Sequence, residues 1–150
     1  MSEYRVRDYT PSDFDSVNKL WEETGMGGAE RGDNEKTIDE SVGIGGRLLV
    51  LEESAVNRII GTSWMTYDGR RIHLHHFGIT PAYQGRGLSK ILLERSLQYI
   101  KDKGIQVKVE VHESNRKALN LYLKYGFNYL GDYRVYIIRD TGTIYDYGTT

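Results

Sequence analysis

Apolar positions along the chain change period several times, and each change marks an element. Residues 4–9 alternate as in a short strand. Thr10-Pro11-Ser12-Asp13 has the signature of a helix start, with Thr10 at the N-cap, Pro11 in the first turn and an acid close behind. Phe14, Val17, Leu20 and Trp21 then share one helical face, and the helix ends near Gly25. A glycine-rich loop over 25–33 leads to a short helix from about Asn34 to Val42. Strands are predicted over Arg47–Glu53 and Arg58–Tyr67, joined by a hairpin loop at 54–57. Asp68-Gly69 predicts a two-residue type I′ turn, because that pair suits positive φ angles, and a third strand runs from Arg70 to about Ile79. These three strands form an antiparallel meander.

The period then lengthens. Leu88, Leu92, Leu93, Leu97 and Ile100 stripe a helix that runs to Lys103, and Gly104 stands where a left-handed C-terminal cap belongs. Ile105, Val107, Val109 and Val111 alternate with Gln106, Lys108, Glu110 and His112, which predicts a strand with one polar face. A last helix starts at Ser114 or Asn115, carries Ala118, Leu121, Tyr122 and Tyr125 on its apolar face, and stops at Gly126. Closing strands are predicted over Phe127–Tyr133 and Val135–Arg139. The whole is an α+β domain, 1–150, with a mixed, mostly antiparallel sheet of about six or seven strands and about four helices.

Composition narrows the function. Twenty Lys and Arg against 21 Asp and Glu leave a net charge of −1, so no global field draws nucleic acid or an anionic membrane. No apolar run approaches the ~20 residues of a membrane span, and the N-terminus has no apolar signal-peptide core. The absence of cysteine removes disulfides, thiolate nucleophiles and thiolate metal sites, and fits a cytoplasmic protein.

The segment Gln84-Gly85-Arg86-Gly87-Leu88-Ser89 lies between a strand and a helix N-terminus. Glycines there allow close backbone approach, and the first amides of a helix, with its dipole, favour phosphate oxygens. Lys90 stands where a dinucleotide fingerprint needs its third glycine, and the Gly-Lys-Ser/Thr ending of a P-loop is absent.

Together with Phe77-Gly78-Ile79-Thr80-Pro81, this segment resembles the acetyl-CoA motif of the GNAT superfamily of N-acetyltransferases. Asn115, Ala118 and Leu121-Tyr122-Leu123-Lys124-Tyr125-Gly126-Phe127 resemble the second motif of that family, at the family's spacing. The likeness spans about Arg47 to Phe127, and Ser89 replaces a Gly or Ala. The resemblance implies acetyl-CoA as co-substrate and no metal. It assigns the pyrophosphate to the amides of Gln84, Gly85, Arg86, Gly87, Leu88 and Ser89. It assigns the pantetheine and acetyl carbonyl to Phe77, Gly78 and Ile79, with Asn115 on the pantetheine arm and Tyr122 beside the thioester sulfur.

Acyl transfer to an amine needs a base for the nitrogen and an acid for the departing thiolate. The resemblance makes Tyr122 the acid. Glu110 is the candidate base, because Glu110-Val111-His112-Glu113-Ser114-Asn115 resembles the corresponding segment of the ribosomal-protein alanine N-acetyltransferases. A water chain or His75 is the alternative base. His73 and His75 share a strand face, and His76 points away unless a bulge resets the alternation.

The acceptor is expected between the 25–33 loop, with Glu30, Arg31 and Asp33, and the segment Tyr133–Tyr147, where Tyr133, Tyr136, Tyr145 and Tyr147 suggest an aromatic wall. A small-molecule amine is expected. A peptide N-terminus or a lysine is the alternative acceptor, and a non-catalytic acyl-CoA-binding sensor is the alternative of another class. Dimers are common in the family, so a homodimer is consistent with the resemblance.

Overall fold

The computed structural model describes residues 3–148. Five strands form one sheet in the order β1 (Tyr4–Asp8), β2 (Arg47–Glu53), β3 (Arg58–Tyr67), β4 (Ile72–Ile79) and β5 (Val107–Val109). The first four pair antiparallel, and β5 joins β4 in parallel. Parallel pairing requires a crossover, which α3 (Leu88–Lys103) supplies.

Each face of the sheet has its own core. On one face α3 and α4 (Arg116–Lys124) cover Leu49, Leu51, Met65, Ile72 and Leu74, with Leu88, Leu92, Leu93 and Tyr122 contributed by the helices. On the other, α1 (Phe14–Thr24) and α2 (Glu35–Gly43) cover Leu48, Val50 and Trp64. The Trp21 indole stacks on Trp64 there, centroids 5.3 Å apart and planes 8° apart. The strict alternation of β2 serves both cores at once: Leu48 and Val50 face one, Leu49 and Leu51 the other.

The entry to α1 begins as a 3-10 turn over Pro11–Asp13, and the buried carboxylate of Asp13 ties it to β1. Asp13 accepts from the Thr10 amide at 2.8 Å and from Arg7 Nη1 and Nη2 at 2.8 and 2.9 Å. Arg7 also donates to the buried Glu52 at 2.9 Å. Arg5 reaches the other Glu52 oxygen at 3.0 Å, so two guanidinium groups meet the two buried acids, which is what permits them inside. Pairing with Arg7 lowers the pKa of both Asp13 and Glu52, and theirs raises that of Arg7.

Three expectations need correction. The β3–β4 hairpin is a four-residue loop, 68–71, since Tyr67 pairs with Ile72. The Asp68 carboxylate accepts from the amides of Arg70 and Arg71 at 2.8 and 2.7 Å. This side-chain turn replaces the type I′ geometry, and of the pair only Gly69 has positive φ. The strand expected over 105–112 is paired only over Val107–Val109. Residues 127–133 and 135–139 form no strand, so the sheet among the described residues has five strands. Tyr129, Tyr133, Val135, Tyr136, Ile137 and Ile138 are all exposed. Alternation makes a strand only where a sheet edge and a covered face receive it, and this segment has neither.

Candidate active site

Strands β4 and β5 part company after three residue pairs. Their ladder ends at Leu74 opposite Val109, while β4 continues to Ile79 with its other edge still paired to β3. The opened wedge is a cleft of about 180 Å³ that takes in His75, His76, Phe77, Glu110, Asn115 and Tyr122. Six residues, from His75 to Tyr122 along the chain, thus meet where one strand pair splays.

The first wall of the cleft is largely main chain. The edge of Phe77–Ile79 that faces away from β3 carries no strand partner. Gly78 is in close contact with Met26 of the 25–33 loop: a Cβ there would lie 3.1 Å from the Met26 sulfur. Beyond β4, Thr80 leads into a 3-10 turn, and the Gln84 side chain donates to the Ile79 carbonyl at 2.9 Å, which ties the turn to the strand end. Gly85 and Gly87 both have left-handed φ, 79° and 77°, and a Cβ on either would meet nothing within 4 Å. Gly87 caps α3 without any side-chain bond to the first turn. Among the described residues, the amides of Gly85, Arg86 and Gly87 donate to no protein acceptor. Unpaired amides at the head of a 16-residue helix, with open space above two glycines, fit a diphosphate. Arg86 is folded back, its guanidinium over the Tyr83 ring at 4.8 Å and donating to the Ala82 carbonyl at 3.3 Å. Leu88 is buried in the core and Ser89 is half-buried, so these two side chains anchor the helix rather than the loop.

Asn115 and Tyr122 come from one helix. Asn115 is the N-cap of α4, its side-chain oxygen accepting from the Ala118 amide at 3.2 Å. Two turns on, Tyr122 is only 5% exposed and packs against Phe77 and Phe127, ring centroids 5.9 and 5.4 Å away. Tyr122 lines the cleft, and its hydroxyl makes no hydrogen bond to the protein among the described residues. Burial pushes the phenol up to about 12, so it stays protonated at neutral pH and remains a donor.

The second wall is made of side chains. Glu110 is exposed at the cleft's edge, just past the end of β5, and makes no protein hydrogen bond among the described residues. His75 and His76 stand on the same side of β4 because the strand carries a bulge. Thr62 pairs with Gly78 and Trp64 with His75, so one extra residue is accommodated in β4, and His76 takes φ 46°. Their Nδ1 atoms lie 2.7 Å apart; His75 Nε2 is 3.1 Å from Thr66 Oγ1, and His76 Nε2 is 2.8 Å from Asp33 Oδ2. Burial, with His76 and His73 nearby, pushes His75 down to about 3, which keeps it neutral. Burial also lowers His73, while the nearby Glu110 carboxylate opposes that shift.

The cleft therefore gathers Phe77, Glu110, Asn115 and Tyr122 from the residues singled out in the sequence, and Gly85 and Gly87 lie at the head of α3 beyond it. Tyr133, Tyr136, Tyr145 and Tyr147 are exposed and none of them lines the cleft. Met26 and the Asp33–His76 pair escaped the sequence reading. The visible signal was the doublet His75-His76 inside an alternating strand, which puts two polar residues in succession where one should face a core. Among the described residues, no group of three or more His, Asp or Glu is placed to hold a metal ion.

A splayed β4–β5 pair, a glycine turn feeding a helix and a buried phenol beside the wedge are the arrangement that the acyltransferase resemblance leads one to expect. The sequence model described as the "Acetyltransferase (GNAT) family" matches residues 14–127, and the chain belongs to that family. Among solved structures, it is similar to an acetyltransferase of the GNAT family from Staphylococcus aureus Mu50, with a TM-score of 0.73 and 15% identity over 87% of this chain and 88% of that one. The ribosomal-protein-S18-alanine N-acetyltransferase from Escherichia coli superposes with a TM-score of 0.70 at 21% identity, over 83% of this chain and 77% of that one. A GNAT family acetyltransferase from Elizabethkingia anophelis, with acetyl-CoA bound, gives a TM-score of 0.60 at 20% identity, over 85% and 78%. At these identities the likeness speaks for the fold.

Proposed function

We propose that the protein moves the acetyl group of acetyl-CoA to the amine of a small molecule by direct attack in a ternary complex. The observation that carries the reading is the convergence of a carboxylate, Glu110, and a protonated phenol, Tyr122, on one wedge beside the open edge of Phe77–Ile79. Acetyl-CoA supplies the activated acyl group as a thioester. The amides of Gly85, Arg86 and Gly87 hold its diphosphate, with Gln84, Leu88 and Ser89 framing that turn. The edge of Phe77, Gly78 and Ile79 and the side chain of Asn115 align the pantetheine arm.

Glu110, directly or through water, takes the proton of the attacking nitrogen as the C–N bond forms. Tyr122 gives its proton to the sulfur as the C–S bond breaks. Each positioned acid or base is worth about 10²–10⁴ in rate. Alignment of the two reactants and an amide on the acyl oxygen supply the rest.

The segment Glu110-Val111-His112-Glu113-Ser114-Asn115 favours a peptide N-terminus as the other acceptor, and a lysine side chain presents the same kind of nitrogen. A screen of thiol release from acetyl-CoA decides between them, run over polyamines, amino acids, aminoglycosides and short peptides. Release with small amines is the expected result. Release with peptides alone moves the acceptor to a chain terminus or lysine. Binding of acetyl-CoA with no release above background across the panel would leave a non-catalytic acyl-CoA sensor.

A further inference from the structure

His76 is held at every polar atom of its side chain and at its carbonyl. Asp33 is an acceptor when ionised, so His76 carries a proton on Nε2 and donates it there at 2.8 Å. His75 is neutral and carries one ring N–H: where it donates from Nδ1 to His76 Nδ1, its Nε2 accepts from the Thr66 hydroxyl, and where it accepts from His76 Nδ1–H, its Nε2–H donates to Thr66 Oγ1. In either arrangement every donor in the row Thr66–His75–His76–Asp33 has one acceptor. The His76 carbonyl accepts from Thr62 Oγ1 at 2.7 Å, and that hydroxyl in turn accepts from Trp21 Nε1 at 2.9 Å. The His76 ring lies edge-on to Trp21 and Trp64, centroids 4.7 and 5.1 Å away. A left-handed residue other than glycine inside a strand is uncommon, and such strain persists where the surroundings over-determine it.

What this rigid histidine holds is the 25–33 loop. The same Asp33 oxygen that accepts from His76 accepts from the Gly28 amide at 3.0 Å, and the Asp33 amide donates back to the Gly28 carbonyl at 3.1 Å. Between them sits Gly27, where an added Cβ would collide with both the Asp33 carboxylate and His76 Nε2. α1 tethers the loop as well: Asn18 accepts from the Ala29 amide at 2.8 Å, and the Trp21 carbonyl accepts from the Met26 amide at 3.0 Å and the Gly27 amide at 3.4 Å. Met26 leads out of this knot onto Gly78 and into the cleft.

We propose that the Asp33–His76 contact is a latch that seats the 25–33 loop, and Met26 with it, against the bulge of β4, making His76 the positioning residue for the acceptor. The inference rests on the transferase reading only for what the acceptor is; the latch itself stands on the contacts. It differs from that reading's acid and base, because both nitrogens of His76 are spent inside the protein and none faces the reacting atoms.

Amide hydrogen exchange on the full chain tests the latch without any activity. In Asp33→Asn and in His76→Gln, amides of residues 27–33 should exchange about ten-fold faster or more, with those of α3 unchanged. Gly27→Ala is the second variant: it keeps both partners and wedges them apart, and it should loosen the same amides. In steady-state thiol release, each variant should raise the acceptor KM about ten-fold and leave the acetyl-CoA KM within two-fold. Unchanged exchange over 27–33, or an equal rise in both KM values, would overturn the latch. Absence of turnover in the wild-type protein would count against the transferase reading alone, because exchange decides the latch by itself.

Discussion

The two walls of the cleft are built by different means. On the side where we place the cofactor the available groups are main-chain amides and carbonyls, presented by a strand edge and, beyond the cleft, by a turn containing Gly85 and Gly87. On the acceptor side they are side chains: Met26, His75, His76 and Glu110, set by one bulge and one loop. A main-chain wall tolerates many sequences provided the glycines and the helix remain. A side-chain wall changes with single residues.

The largest effect should come from filling the main-chain wall. Gly87→Trp puts a side chain into the open space above the turn, at a residue with φ 77°. The left-handed conformation costs roughly 1–2 kcal/mol for an L side chain, which a domain of this size survives. Acetyl-CoA binding measured by calorimetry should vanish while the circular dichroism spectrum stays intact. Tight binding in this variant would show that the diphosphate does not sit at this turn.

Next in size is the chemistry at the wedge. Tyr122→Phe should lower kcat by about 10²–10⁴ and leave the acetyl-CoA KM nearly unchanged, because the ring still packs on Phe77 and Phe127. Glu110→Gln should lower kcat toward the smaller end of that range, since water can still carry a proton from an exposed position. Equal kcat in wild type and Tyr122→Phe would take the phenol out of the mechanism.

The contrast between the walls also explains what the sequence disclosed. The β2–β3–β4 meander, α3 and α4 follow from period alone, because each buries one regular stripe. The places of Gly85, Gly87, Asn115 and Tyr122 were legible too, because the motifs that carry the resemblance sit at fixed offsets from helix ends. On the acceptor side His75 and Glu110 were singled out from the sequence, and the contact between loop and bulge was not. Nothing local places Asp33 beside His76, a separation of 43 residues, and period cannot reveal a bulge before the register is known. The 127–139 segment misled for the converse reason: its alternation is strand-like, yet no edge receives it. Asp68-Gly69 misled because a carboxylate that bonds two amides outweighs the type I′ preference of the pair.

A third effect belongs to the acceptor wall and is read as stability against pH. Burial lowers His75 from 6.5 to about 3, so below pH 6.5 the unfolded chain binds a proton that the folded protein refuses. Its contribution is complete above about pH 6.5 and is lost as the pH falls toward 3. Asp13 and Glu52, held low by Arg7, act with the same sign and lower down, starting near their ordinary values of 3.8 and 4.5. Thermal melts should therefore show Tm falling between pH 7 and 5 in the wild type, with a flatter profile in His75→Gln over that interval. A flat wild-type profile there would mean that His75 is not held neutral by the fold.

The smallest effect separates two duties of one residue on the cofactor wall. Asn115 caps α4 through its side-chain oxygen, and its Nδ2–H₂ donates to no protein acceptor among the described residues, which leaves it for the pantetheine arm we place there. Asn115→Ala removes both and should cost about 1 kcal/mol of stability, the usual worth of an N-cap, while raising the acetyl-CoA KM several-fold. Asn115→Asp restores the acceptor at the cap and adds a favourable charge at the helix N-terminus, so stability should return to the wild-type level. It does not restore the donor, so the acetyl-CoA KM should stay high. Denaturant titration and steady-state kinetics on the same two variants read the duties apart, and recovery of both in Asn115→Asp would reduce Asn115 to a cap.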